Sequence, residues 1–228
     1  MADLKTTIKH FLEENDIAAA AACVKQDRKA MTCLISLAYD KETLVGWRAI
    51  LAVGRAAREL AGTDREFLRE TCRKLLWSLS DESGGIGWSA PEMLGEIVSA
   101  DPGRFADLVP LIAGVFDVEE DTFRAGTLYA LRRIAEQEPC LVLPHQEQIT
   151  AALTERDPRT RIFGLQTIGL VWRAGCQEGP WTVNDCQKVK KAVERLLNDR
   201  SETWVYGKTG FQSILVYDIA QDIYNLII

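Results

Sequence analysis

VGWRAILAVGRA, from Val45 to Ala56, has three gapless counterparts further along the chain. They are IGWSAPEMLGEI from Ile86, FRAGTLYALRRI from Phe123 and TRIFGLQTIGLV from Thr160, with starts 41, 37 and 37 residues apart. Small or apolar pairs recur at Ala49/Ile50, Ala90/Pro91, Thr127/Leu128 and Gly164/Leu165, and apolar residues again at Val53, Leu94, Leu131 and Ile168. The ninth residue after each start is Gly54, Gly95, Arg132 and Gly169. This i, i+3, i+4, i+7 spacing describes a helix buried on one face. A period near 40 residues marks units that stack because none can bury its apolar face alone.

A second amphipathic stretch precedes each of these helices. The four are RKAMTCLISLAYD (Arg28–Asp40), REFLRETCRKLLWSLSD (Arg65–Asp81), FADLVPLIAGVFD (Phe105–Asp117) and HQEQITAALTERD (His145–Asp157). All end in Asp, which caps a following helix by accepting its free backbone N–H groups. The unit is therefore helix, Asp-bearing turn, helix. Pro102, Pro139 and Pro144 fall between units, where a helix must stop. A further pair, Val183–Asn198 followed by Thr209–Leu226, fits more weakly. The segment from Leu4 to Lys25 reads as one or two amphipathic helices with Ile8, Phe11 and Leu12 on one side. Its charge suits the polar outer face that a terminal unit needs. Strand signal is almost absent.

With DPRTRIFGLQTIGLV (Asp157–Val171) and DTFRAGTLYALRRI (Asp121–Ile134), the chain resembles the HEAT-repeat family in its short bacterial, phycobilin-lyase-type form. Asp157, Arg161 and Gly169 carry the resemblance in one unit and Arg124 in the other. Arg132 stands where Gly is usual, and Gly46 and Gly87 replace the Arg in the first two units. The resemblance implies an all-α fold: a right-handed α-solenoid of about five HEAT-like helix pairs over 28–226. An N-terminal capping segment over 1–27 completes a single repeat domain over 1–228. Such a pattern specifies an architecture, not a reaction.

Composition narrows the function classes. Hydrophobic residues make up 47% and charged residues 26%, values that exclude a disordered chain. No apolar run approaches the roughly 20 residues of a membrane span. The opening MADLKTTIKHFLEEN lacks the apolar core of a signal peptide, so a cytoplasmic location is expected. Cys23, Cys33, Cys72, Cys140, Cys176 and Cys186 show no C-x-x-C pair, and the histidines are His10 and His145 alone. No metal and no cofactor is therefore expected, and the cysteines read as small, mostly buried core residues in a reducing compartment. The net charge of −6 disfavours nucleic acid as a partner. The densest basic stretch, Lys188, Lys190, Lys191 and Arg195, reads as a solvated helix face.

Candidate site residues lie where the repeat deviates. Trp47 and Trp88 occupy the same repeat position. In register, Glu92 aligns with Leu51 and Tyr129, and Glu96 with Arg55 and Arg133. In the resembled family the second helices line a concave face. Trp47, Arg55, Trp88, Glu92, Glu96, Tyr129, Arg132 and Arg133 would there form a groove for a protein or peptide, since Trp, Tyr and Arg anchor interfaces. The same side chains also serve as inter-repeat core and surface ion pairs. The loop Asp81-Glu82-Ser83-Gly84-Gly85 reads either as a tight turn with helix cap or as a ligand loop; it lacks both P-loop and EF-hand spacing.

No catalytic constellation is present in the sequence. The expected function is a non-enzymatic scaffold that binds a protein or peptide. Two alternatives come from resemblance. HEAT-like DNA glycosylases for alkylated bases place tryptophans and an acid near the lesion, as Trp88 and Glu92 superficially do. Phycobilin-lyase subunits share such repeats.

Overall fold

The computed structural model describes residues 2–79, 86–118, 121–175, 183–207 and 209–227. The chain forms two compact units, Met1–Phe105 and Ala106–Ile228.

In the first unit, α1 (Ala2–Glu13) pairs with α2 (Ile17–Gln26), and α3 (Lys29–Leu37) pairs with α4 (Leu44–Leu60). Then α5 (Arg65–Ser78) pairs, past a 3₁₀ turn over Ile86–Ser89, with α6 (Ala90–Ala100); the short α7 (Pro102–Phe105) follows. The second members form one row, α2 on α4 on α6. The segment read as a cap is thus a helix pair in its own right. Ile8 and Leu12 of α1 are fully buried, and Ala20, Ala21 and Val24 supply the buried side chains of α2. Alanine side chains give α2 a thin profile, which suits a helix laid directly on another.

Glycine explains two close approaches. A Cβ at Gly46 would lie 1.9 Å from the Asp40 carbonyl oxygen, so α4 starts hard against its own turn. That contact excludes the Arg usual at this repeat position. A Cβ at Gly54 would lie 2.5 Å from Glu96 Oε2 and 2.8 Å from Glu96 Cβ, where α4 meets α6.

The second unit opens with a 3₁₀ turn (Ala106–Leu108), α8 (Val109–Gly114) and two further 3₁₀ turns leading into α9 (Arg124–Ala135). A 3₁₀ stretch over Pro139–His145 feeds α10 (Gln146–Ala151), and another over Ala152–Thr154 precedes α11 (Pro158–Arg173). Last come α12 (Val183–Leu196), the strands β1 (Glu202–Tyr206) and β2 (Phe211–Leu215), and α13 (Val216–Ile227). Here α9, α11 and α13 form the inner row, with α8, α10 and α12 packed respectively against them. Pro139 and Pro144 interrupt the outer element, which therefore starts as 3₁₀ rather than α.

Two expectations need correction. The segment Thr209–Leu226 is not one helix, and strand is present. Phe211–Leu215 pairs antiparallel with Glu202–Tyr206, from Glu202↔Leu215 to Tyr206↔Phe211, and helix begins only at Val216. The alternation of Thr203, Trp204, Val205 and Tyr206 is β-branched and aromatic, which suits a pleated surface. The Gly207 N–H donates to the Gly210 carbonyl at 2.8 Å to close the turn, and Val205 is buried. The Asp caps are the second correction. Asp157 caps α11, accepting from Arg159 N at 3.1 Å. At α4, however, Thr43 is the cap, accepting from Gly46 N at 3.1 Å, while Asp40 braces the turn through Glu42 N at 3.2 Å. Asp117 instead accepts from Gln148 Nε2 at 2.9 Å, and α9 has no side-chain cap.

Candidate interaction site

Five of the eight side chains aligned by the repeat register lie in the first unit, and three in the second. In the first, Lys41 in the α3–α4 turn reaches the neighbouring pair. Its Nζ donates to the Trp88 carbonyl at 2.9 Å and to Glu92 Oε1 at 2.8 Å. Ser89 Oγ donates to the Ala38 carbonyl at 2.6 Å, so the head of α6 is bolted to the end of α3 at two points. Glu92 is only 2% exposed, and its Oε2 is buried with no partner. Glu96 is buried beside Gly54, Trp47 is buried, and Arg55 is exposed and paired with Glu59 at 3.1 Å.

Trp88 behaves differently from Trp47. It is 37% exposed, and the turn it is bolted to carries Tyr39 at 49% and Leu44 at 40%. Trp77, at the end of α5, is 68% exposed. Tyr39 and Leu44 of the second pair and Trp77 and Trp88 of the third are thus exposed large apolar side chains. Repeat register could not reveal Tyr39, Lys41 or Leu44, because all three fall in or beside the turn rather than within the aligned helices. Their only signal was the local Tyr-Asp-Lys composition of the turn.

In the second unit, Tyr129 is buried edge-to-face with Phe163 at 5.6 Å between ring centroids. The Arg132 guanidinium lies 5.1 Å from the Tyr129 centroid and 5.7 Å from that of Phe163. Arg132 and Arg133 both form ion pairs with Glu136.

Arginines also tie successive pairs through their turns. Arg124 Nη1 lies 2.8 Å from Glu155 Oε2 in the next turn and 2.9 Å from Asp121 in its own. The Glu155 hydrogen bond is the main reason its pKa is pushed further up. Arg161 Nη1 donates to the carbonyls of Glu155 (2.5 Å) and Arg156 (2.9 Å), while its Nε lies 2.8 Å from Asp199 Oδ2 of the following pair. Burial raises the Asp199 pKa, but hydrogen bonds from Ser201 and the charge of Arg161 outweigh it and hold the carboxyl below its ordinary range. Arg48 Nη1 reaches back to the Leu12 and Glu13 carbonyls at 2.7 and 2.9 Å, and Arg28 pairs with Asp64 at 2.8 Å. The Arg of the repeat motif is therefore a structural clasp.

Asp81, Glu82, Ser83, Gly84 and Gly85 lie outside the described residues, as does Cys176. Among the described cysteines, Cys33 and Cys72 are buried, Cys23 and Cys186 are half-buried, and Cys140 is exposed, so not all are core residues. No group of three metal-ligating side chains occurs among the described residues, and none of their helices is long and apolar enough to cross a membrane.

No protein-family model and no curated protein matches the chain. Solved structures do. A designed armadillo repeat protein overlaps with a TM-score of 0.55 at 14% identity, covering 99% of this chain and 91% of the other. An engineered protein from the Northeast Structural Genomics Consortium also gives 0.55, at 15% identity, with 100% and 97% covered. The archaeal HEAT-like repeats protein from Thermococcus onnurineus NA1 aligns over 98% and 96% at 14% identity, but its TM-score of 0.41 is too low to bear on the fold. The fold is an α-solenoid of stacked helix pairs, with a two-stranded hairpin ahead of α13.

Proposed function

We propose that this protein is a non-enzymatic scaffold that holds a protein or peptide on its helical repeats. The exposure of Tyr39, Leu44, Trp77 and Trp88, taken together as one apolar ledge, carries the reading, because exposed apolar surface containing Trp and Tyr is the material of interface anchors. The polar groups beneath it hold the ledge in shape. Lys41 holds Oε1 of Glu92 in a nearly dry pair, side chains 16% and 3% exposed. A carboxylate so engaged is poorly placed to meet a substrate, which favours a scaffold over a base-excising enzyme. The acidic net charge favours it too. Arg55, exposed on α4, extends the proposed surface onto the inner helix row.

Trp88→Ala and Tyr39→Ala variants with unchanged thermal melts test the proposal. Affinity purification from the native source, followed by mass spectrometry, should lose the same binding proteins with both. An undiminished set of partners on both folded variants overturns the ledge as the docking surface.

A further inference from the structure

Within the second unit, α10 and α12 leave a cleft of about 460 Å³ between them. That is large enough for a small organic molecule. Its floor is apolar, formed by Ala151, Val189 and Ala192. One wall carries Lys188, Lys191 and Arg195 from α12, the basic stretch that sequence alone reads as a solvated face. Three, four and seven residues apart, they share one side of the helix. Lys188 pairs with Asp185 at 3.7 Å, whereas Lys191 and Arg195 make no ion pair among the described residues. The opposite wall, from α10 and the turn after it, presents Gln146, Thr150 and Thr154, the last with its hydroxyl donating to the Ala151 carbonyl at 2.9 Å.

We infer that this cleft binds a small organic anion with a single charged head and an apolar body. The head lies against Lys191 and Arg195 and the body over Ala151 and Ala192. Glu147 and Asp185 also line the cleft. Two carboxylates beside three cations repel an extended polyanion while tolerating one charge, which selects a compact ligand over a nucleic-acid strand. The site is independent of the apolar ledge and of the scaffold reading.

The probe is N-acetylphenylalanine, which combines a single carboxylate with an aromatic body. It is titrated calorimetrically into the full-length protein beside its neutral amide and acetate. Saturable binding with a Kd of about 1 mM or tighter is expected, with amide and acetate each weaker by about tenfold or more. The Lys191→Gln/Arg195→Gln pair should weaken the carboxylate by at least about tenfold, since each removes a charge-assisted hydrogen bond. Both side chains are exposed, so the melt should not change. Ala151→Phe, at an exposed position of the cleft floor, should block binding by filling the cleft. No saturation below about 10 mM overturns the inference. So does equal binding by the folded double variant, or equal affinity for the neutral amide.

Discussion

Lys41 sits in a turn, yet its ammonium decides how α6 begins. Its partner Glu92 is almost wholly dry, so removing the cation leaves a buried charge without compensation. Breaking such a pair from one side costs about 3 kcal/mol, whereas replacing both partners by apolar groups of similar volume is much milder. In urea denaturation, Lys41→Met is therefore expected to lose about 3 kcal/mol, and Lys41→Met/Glu92→Leu clearly less. A double variant as unstable as the single would mean that the pair is not what the lysine supplies. Little of this was legible beforehand. That Gly54 and Gly169 recur in register could be read from the repeat; that a Cβ there would meet Glu96 and Ile223 of the neighbouring helices only the structure shows. Lys41 recurs nowhere, and a side chain that acts between turns leaves no periodic trace.

Helices with strong amphipathic spacing, such as α4 and α11, were readable because their buried faces repeat every turn. The hairpin before α13 was not. Its five-residue strands have no buried partner sheet, and their apolar residues blended into the helix that follows. The elements around it also respond to acid. Asp199, in the connection after α12, has a native pKa below its ordinary 3.8. Its stabilisation is thus complete above that value and is lost as pH falls through the lower native one. His145, just ahead of α10, is held below its ordinary 6.5 by burial. Folding then favours the neutral ring: stability is full above about 6.5 and declines once protonation competes below it. Both effects point the same way. His145→Gln should flatten the stability profile between about pH 7 and 5, and Asp199→Asn should remove a further loss below about pH 4, each followed by denaturant midpoints. A steeper acid decline in either variant would contradict these signs.

At the scale of the whole molecule, the main helix contacts run between pairs adjacent in sequence. A chain organised this way stores its stability in units and in nearest-neighbour interfaces. The van't Hoff enthalpy from a thermal scan should accordingly fall below the calorimetric enthalpy, whereas a single all-or-none transition would make the two equal. The architecture could be inferred from one twelve-residue pattern because every copy obeys the same burial rule. The candidate surface could not, because exposure is set by what neighbouring elements leave uncovered: Trp47 and Trp88 share a repeat position, yet one is buried and the other is not.

Hairpins of similar shape invite mistakes while the polypeptide condenses, since any one could settle on the wrong companion. The guanidinium clasps distinguish among them. Arg124 meets its acid on the pair that directly follows, and so does Arg161. Skipping or swapping a neighbour would strand a partly buried cation and orphan the carbonyls it ties. Succession along the stack is thereby proofread by charge, over and above the oily contacts that make stacking favourable in the first place.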